Sequence, residues 1–184
     1  MNQPILLFFG FVRPYKGLDV LLEALPIILR EFPVHLLIVG EIWGDETDYR
    51  TQIERLGLSS HVTIVNQYIP NEDLRRYFGA ADVVVLPYRS ATQSGVIQLA
   101  FGFGKPVITT QVGGLAEAVV DDVSGLIVPP GDTSALADAV IRFYRHHLGP
   151  RLVTGVAAHS DRFSWDRLVE IVEESHDSTN EVPR

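Results

Sequence analysis

Short apolar runs, bounded by glycine, proline or polar residues, alternate along the chain with segments of helical periodicity. The runs are typical of strands buried on both faces of a sheet, and we predict six of them: Ile5–Phe9, His35–Val39, Val62–Val65, Val83–Leu86, Pro106–Thr109 and Leu126–Val128. We predict helices between them, within residues 18–29, 41–58, 71–78, 95–103 and 135–146. Strands that alternate with helices indicate an α/β fold, here a single Rossmann-like, doubly wound, parallel six-stranded sheet.

Cap residues and one break in the pattern indicate where helices begin and where the domain ends. Asn71 is predicted to cap the helix that carries Leu74, and Asp132 or Thr133 caps the helix over residues 135–146. Gly149-Pro150 ends the pattern of strands and helices. We therefore predict a Rossmann-like domain over residues 1–160, a C-terminal helix in residues 161–176 that includes Phe163–Val172, and a disordered tail over residues 177–184.

The composition excludes several classes of function. The chain has no cysteine, which excludes a disulfide framework, a thiolate metal site and a cysteine nucleophile. Its net charge is −8 and it shows no basic stripe, so we do not expect it to bind nucleic acid. The apolar run from Ile5 to Val12 is too short to span a bilayer, so we expect no membrane insertion and a cytoplasmic location. The histidines lack ligand spacing, and we expect neither a metal nor a cofactor.

The loop after the first predicted strand, Gly10–Gly17, carries Arg13 and one of the two lysines of the chain, Lys16. Ligands bind outside the carboxyl ends of parallel strands, where this loop lies. Arginine can grip a phosphate through two N–H groups, and lysine acts as a point charge. The residues alone leave a phosphate site and an ordinary solvated turn equally open. We interpret the other lysine, Lys105, as a surface residue of a Gly-Lys-Pro turn.

Two further loops follow predicted strands. Residues 88–95 contain Thr92, Gln93 and Ser94 and lead into a helix, whose free N–H groups and dipole favour an anion. Ser94 could instead serve only as the helix cap, although three polar residues are more than one cap requires. The loop 111–115 contains paired glycines, which indicate either a tight turn or close approach by a ligand.

Six motifs stand in a fixed order along the chain. They are Phe9-Gly10 with Lys16-Gly17-Leu18-Asp19, Leu37-Ile38-Val39-Gly40, Ala81-Asp82-Val83 to Pro87, Gly104-Lys105-Pro106-Val107-Ile108, Gly113-Gly114-Leu115-Ala116-Glu117, and Gly125-Leu126-Ile127-Val128-Pro129-Pro130-Gly131-Asp132. Each motif is weak alone, but the ordered set resembles the C-terminal domain of the family 4 (group 1) retaining GT-B glycosyltransferases. The resemblance extends from Ile5 to Trp165.

The resemblance implies binding of a nucleoside diphosphate sugar and transfer of the sugar with retention of configuration. It implies these roles: Arg13 and Lys16 as catalytic groups that neutralise the leaving diphosphate; Gly10, Thr92, Gln93, Ser94, Gly95 and Val96 as donor and phosphate contacts; Tyr68, Ile69 and Gln98 as nucleoside contacts. It also implies an N-terminal GT-B domain that this chain lacks, as an excised fragment or a truncated gene. The isolated chain is then expected to be inactive. The alternative is a non-catalytic module that binds a nucleotide or a partner protein.

The chain departs from the family pattern at three positions. Phe11 stands where the family often has an arginine, and Arg13 is expected to replace it. Ala91 and Leu99 stand where the family usually has two glutamates, which contact the transferred sugar and the ribose. Either Gln98 faces the cleft in a shifted helix register, or Leu99 does and loop residues Thr92 and Gln93 supply the polar contacts. We favour the second case.

Overall fold

The computed structural model describes residues 3–160, so the predicted helix Phe163–Val172 and the tail 177–184 lie outside the described residues. The strands are β1 (Ile5–Phe9), β2 (His35–Val39), β3 (Val62–Val65), β4 (Val83–Leu86), β5 (Val107–Thr110) and β6 (Gly125–Val128). The α-helices are α1 (Leu18–Leu29), α2 (Glu46–Arg55), α3 (Leu74–Ala80), α4 (Gly95–Gly102), α5 (Gly113–Ala118), α6 (Thr133–Arg145) and α7 (Gly149–Ser160). Short 3-10 helices cover Pro14–Lys16 and Asn71–Asp73.

The strands form one sheet in the order β3-β2-β1-β4-β5-β6, and each neighbouring pair is parallel. This arrangement confirms the predicted Rossmann-like, doubly wound sheet. The strand order reverses between β1 and β4, where the loops after these two strands separate to opposite faces. The crevice in which a ligand is expected therefore lies between the carboxyl ends of β1 and β4.

The sheet is covered on both faces, because successive residues of a strand point to opposite sides. Leu6 and Phe8 join one buried cluster, which includes the apolar faces of α1 and α6. Leu7 and Phe9 join a second cluster, which includes residues of α3, α4 and α5. Burial of both strand faces explains why β1 and its neighbours are continuous apolar runs rather than alternating ones.

The pairing of β1 with β2 continues beyond the strands into the loops. Phe9 pairs with Val39, and with the same offset Val12 pairs with Ile42 in an isolated parallel bridge. The backbone N–H of Val12 donates to the carbonyl oxygen of Glu41 at 2.8 Å, and the N–H of Trp43 donates back to Val12 at 3.0 Å. The loop after β1 and the loop after β2 are thus held in strand register.

Several local predictions were wrong or incomplete. Asn71 does not cap α3; it begins a 3-10 helix, and Asp73 precedes α3 without a side-chain cap bond. Asp132 does cap α6, because its carboxylate accepts from the N–H of Ala135 at 2.9 Å. The sequence pattern also missed the short helix α5, and it missed α7, which begins at Gly149 itself. Helix α5 has only 6 residues, so packing against the sheet, rather than periodicity, defines it. Helix α7 was missed because Gly149-Pro150 was interpreted as a break.

Candidate functional site

The first loop folds into a 3-10 helix that buries its lysine. Pro14–Lys16 form the helix, and Gly17 ends it with a φ of 68°. A Cβ atom on Gly17 would lie 2.1 Å from the carbonyl oxygen of Pro87, so only glycine lets this loop pack against the end of β4. Lys16 is consequently only 7% exposed, which excludes the solvated-turn interpretation of this loop for Lys16.

Lys16 is a buried side chain whose ammonium group has no counter-ion among residues 3–160. Its Nζ lies 3.2 Å from the position that a Cβ atom on Gly10 would occupy. Burial lowers the pKa of Lys16 from 10.5 to about 8, and the nearby charge of Arg13 acts in the same direction. No carboxylate of residues 3–160 forms an ion pair with Lys16. A bound anion would supply the missing charge and remove much of the cost of burial.

Tyr88 lies beside Lys16, with its ring centroid 5.3 Å from Nζ. The side chain is buried, and burial raises the pKa of its phenol to about 12, a rise that the neighbouring Ser94 hydroxyl opposes. The phenol is therefore neutral at pH 7. The ring face attracts the ammonium group through its quadrupole without neutralising its charge.

Helix α4 begins next to Lys16 without a side-chain cap. Ser94 occupies the cap position, but its side chain makes no hydrogen bond to the helix. Cγ2 of Val96 lies 3.3 Å from the Cβ position on Gly10, so the first turn of α4 approaches the same glycine as Lys16 does. The free N–H groups of this turn and the positive end of the helix dipole favour an anion at this point.

Arg89, in the second loop, is engaged within the protein. Its guanidinium group donates to both carboxylate oxygens of Asp19 and, at 3.0 Å, to the carbonyl oxygen of Pro14. The hydrogen bond to Asp19 raises the pKa of Arg89. The backbone N–H of Arg89 also donates to Tyr15 at 2.7 Å. Arg89 therefore ties the second loop to the first and is not available to a ligand.

Arg13 is held differently, although it lies at the same edge. Its Cζ atom lies 4.2 Å from the centroid of the Trp43 ring. Phe11 packs edge-to-face against the same tryptophan, with ring centroids 5.7 Å apart. None of the ion pairs within residues 3–160 involves Arg13. The structure thus places the two predicted cations, Arg13 and Lys16, close together, and both keep their charge free.

The paired glycines of the third loop make room for the second loop. Gly113 and Gly114 begin α5, where Cβ atoms would lie 1.9 Å from the carbonyl oxygen of Ala91 and 2.2 Å from that of Thr92. The N–H of Gly114 donates to Thr92 at 3.0 Å. The close approach that the sequence indicated is therefore made by protein backbone rather than by a ligand.

A cavity of about 330 Å³ lies between the first turn of α4 and α5. Its lining includes Gln93, Ser94, Gly95, Gln98 and Glu117. Gln98, one turn after Ser94 on the same face of α4, lines this cavity, and so does Gln93, which the favoured case named as a polar contact. The choice between the two cases stays a prediction. Leu99 is half-buried and packs against the core instead.

A second cavity, of about 100 Å³, lies beside Gly10. Its lining includes Gly10, Phe11, Tyr68 and Ile69. Two of the three predicted nucleoside contacts, Tyr68 and Ile69, therefore lie together, whereas Gln98 lies in the first cavity. Tyr68 is 65% exposed, so its ring presents a free face at the cavity mouth.

Other candidate groups lie away from this edge. The side chain of Lys105 makes one long hydrogen bond of 3.4 Å to the carbonyl oxygen of Gly79. Across residues 3–160, no group of three or more metal-ligating side chains is assembled. Within the same span, none of the helices has the length and apolar character needed to cross a bilayer.

The sequence interpretation missed three residues of this site. Tyr88 was noted as part of a loop but was given no role, and Trp43 and Glu117 were given none either. The signal for Trp43 was available, since it follows β2 at the same offset by which Arg13 follows β1. Glu117 had no comparable signal, because its place in the cavity depends on how α5 packs beside α4.

The fold and the site define a Rossmann-like domain with two cationic side chains and an uncapped helix N-terminus at its switch point. A profile of the family described as "Glycosyl transferases group 1" matches residues 3–146. The chain therefore belongs to the group 1 glycosyltransferases, as a C-terminal domain of their GT-B fold.

Individual relatives agree with this assignment. The D-inositol 3-phosphate glycosyltransferase of Saccharomonospora viridis is 34% identical over 175 residues, which are 90% of this chain and 41% of that protein. Among solved structures, Anabaena HepE in complex with UDP has a TM-score of 0.80 at 27% identity, covering 96% of this chain and 49% of HepE. Sucrose-phosphate synthase from Thermosynechococcus elongatus has a TM-score of 0.77 at 28% identity, covering 97% of this chain and 46% of that chain. The chain thus spans less than half the length of these relatives.

Proposed function

We propose that this domain binds the nucleoside diphosphate part of a sugar donor at the crevice between β1 and β4. The observation that carries the proposal is the buried, unneutralised Lys16 beside the uncapped first turn of α4. Arg13 adds a second positive charge close to it. A diphosphate has the charge and the spread of oxygen atoms to engage all three groups at once.

The nucleoside would extend from the diphosphate into the cavity that Tyr68 and Ile69 line, on one side of Gly10. The sugar would extend to the other side, towards the cavity that Gln93 and Gln98 line. This assignment would give each part of a sugar nucleotide its own place along the edge of the sheet. HepE, a structural neighbour, has been solved with UDP and with UDP-glucose, which makes these two compounds the first probes.

We propose further that the complete protein is a retaining glycosyltransferase. Arg13, Lys16 and the first turn of α4 would stabilise the negative charge that develops on the diphosphate as the bond to the sugar breaks. Because the chain spans 41% of a curated relative, the acceptor site is assigned to a further domain. We expect the 184-residue chain to bind the donor and to transfer no sugar.

Calorimetric titration of the chain with UDP, UMP and uridine tests the binding proposal, and GDP and ADP test the choice of base. A site built for a diphosphate binds UDP more tightly than UMP and binds uridine weakest. Equal affinity for UDP and uridine would contradict the anion site. Sugar transfer by this chain alone would contradict the assignment of the acceptor site to a further domain. An inverted anomeric configuration in the product of a complete enzyme would contradict the retaining mechanism.

A non-catalytic binding module is the second candidate, because Ala91 and Leu99 carry no carboxylate at the positions where the family resemblance expects two. Such a module would bind UDP and UDP-glucose with similar affinity, since it would gain nothing from the sugar. An acceptor-dependent transfer assay on a protein that contains this chain and its N-terminal domain separates the two candidates. Product formation that Lys16→Ala abolishes supports the enzyme, and donor binding without turnover supports the module.

A further inference from the structure

The two arginines at this edge are held by partners of different charge. Asp19 binds Arg89 through both carboxylate oxygens and neutralises it. Trp43 lies under the guanidinium group of Arg13 at 4.2 Å and has no charge. An aromatic face attracts a cation through its quadrupole and leaves the N–H edges of the guanidinium group free. The arrangement therefore fixes Arg13 in place and keeps it able to bind an anion.

We propose that Trp43 is a positioning residue, which acts on the bound diphosphate through Arg13. The inference rests on the function proposed above. It adds to that function a specific residue outside the motifs, on the loop after β2, that sets the orientation of one phosphate-binding group.

The backbone explains why these two side chains meet. Val12 and Ile42 are paired in a parallel bridge, so the next residue of each loop, Arg13 and Trp43, stands side by side in the same register. The N–H of Trp43 donates to the carbonyl oxygen of Val12 at 3.0 Å. The stacking therefore follows from a strand-like ladder and does not depend on a chance encounter of two mobile side chains.

The exposure of the aromatic residues fits this role. Trp43 is 55% exposed and Phe11 is 44% exposed, although both carry large apolar rings. Phe11 packs against the Trp43 ring at an interplanar angle of 76°, so the indole has a protein neighbour as well as Arg13.

Pre-orientation changes affinity because a free arginine loses rotamer freedom when it grips a phosphate. Stacking on Trp43 removes part of that freedom before the ligand arrives. Loss of the ring should therefore weaken diphosphate binding by about threefold to tenfold, as expected for a partly exposed cation–π contact. This effect exists only while Arg13 is present.

A double-mutant cycle with UDP as the probe tests the inference. The dissociation constant is measured by calorimetry for the 184-residue chain and for Trp43→Leu, Arg13→Ala and the double variant. We expect Trp43→Leu to weaken binding in the native background and to have no further effect once Arg13 is alanine. Trp43→Phe, which keeps a ring, should restore most of the affinity.

The control is Tyr77→Leu. Tyr77 also lies beside an arginine, since the Cζ atom of Arg76 is 5.9 Å from its ring centroid, but both residues are on α3, outside the site. It should leave the UDP dissociation constant unchanged. A readout that needs no ligand is the NMR chemical shift of the Arg13 side-chain protons. The ring current of Trp43 should displace these shifts from their usual values, and Trp43→Leu should return them to those values.

Three results would overturn the inference: absence of that ring-current shift, an unchanged dissociation constant in Trp43→Leu, or an equal loss in both backgrounds. An equal loss would mean that Trp43 touches the ligand or supports the loop independently of Arg13. The proposed function fails in a different way, namely if the native chain binds none of UDP, GDP and ADP.

Discussion

The Nζ atom of Lys16 lies 5.3 Å from the centroid of the Tyr88 ring, in a place where solvent is largely excluded. The ring face attracts the ammonium group but does not neutralise it. Burial lowers the pKa of Lys16 to about 8, and the nearby charge of Arg13 acts in the same direction. Both the stability of the domain and its affinity for anions should therefore depend on the protonation of this one side chain.

The first prediction concerns stability. Below pH 8 the folded chain carries the positive charge of Lys16 in a buried position. Between pH 8 and 10.5, Lys16 is deprotonated in the folded chain but still protonated in the unfolded chain. The free energy of unfolding should therefore rise with pH across this window. Lys16→Met should be more stable than the native chain at pH 7, by about 1–3 kcal/mol, and by less at pH 9.5.

Urea denaturation at the two pH values measures this difference. Lys105→Met is the matched control, because Lys105 is the other lysine of the chain and lies away from the site. It should change the free energy of unfolding by less than about 0.5 kcal/mol at either pH. A Lys16→Met variant that is less stable than the native chain at pH 7 would show that the charge is not costly.

The second prediction concerns the pH dependence of binding. UDP should bind the protonated form of Lys16, so its dissociation constant should increase as pH rises through about 8. Well above that pH the increase should approach about tenfold per pH unit. Calorimetry between pH 7 and 9.5 measures this slope. Lys16→Ala should bind about tenfold to a hundredfold more weakly at pH 7 and show almost no slope. A slope that persists in Lys16→Ala would assign the titration to another group.

The third prediction compares the two arginines. Arg13→Ala should weaken UDP binding by about tenfold to a hundredfold, because it removes a charge-assisted hydrogen bond. Arg89→Ala should change UDP affinity less than about threefold, because Arg89 already binds Asp19 and Pro14. It should instead lower the free energy of unfolding by about 1 kcal/mol. Titration and urea denaturation of both variants check the contrast, and a larger affinity loss in Arg89→Ala would reverse our assignment.

The fourth prediction concerns the glycines of the third loop. Gly114→Ala should lower the free energy of unfolding by about 1–3 kcal/mol, because its Cβ would stand 2.2 Å from the carbonyl oxygen of Thr92. Gly79→Ala is the control, since a Cβ at this position of α3 meets no atom within 4 Å. It should raise stability by up to about 1 kcal/mol through helix propensity. Thermal or urea unfolding decides the point, and two variants of equal stability would argue against the packing of the two loops.

The fifth prediction concerns the cavity between α4 and α5. Gln93→Ala and Gln98→Ala should each weaken UDP-glucose binding by about threefold to tenfold and leave UDP binding unchanged, because both amides line the proposed sugar side. Leu99→Ala serves as a comparison, because Leu99 packs against the core and should affect stability first. An equal loss of affinity for UDP and UDP-glucose would show that these side chains do not contact the sugar.

Much of the fold could be predicted from local sequence, and β1 shows why. Five apolar residues followed by glycine read as a strand buried on both faces, whatever the rest of the chain does. The cytoplasmic location, the independence from metals and the roles of all the predicted site residues stay predictions. Helix α5 escaped detection because its 6 residues are too few for a period to stand out, and α7 escaped it because Gly149-Pro150 was interpreted as a break.

The sequence by itself determined the parallel sheet, its strands and the loops at its carboxyl edge, because each depends on consecutive residues and on the general rules of βαβ connection. Only the tertiary structure decided that Lys16 is buried, that Arg89 is neutralised by Asp19, and that Arg13 stacks on Trp43. These features join residues from different loops, and their distances depend on strand register and on glycines that admit backbone at close range. A pattern read along one segment holds no information about which segment will stand beside it.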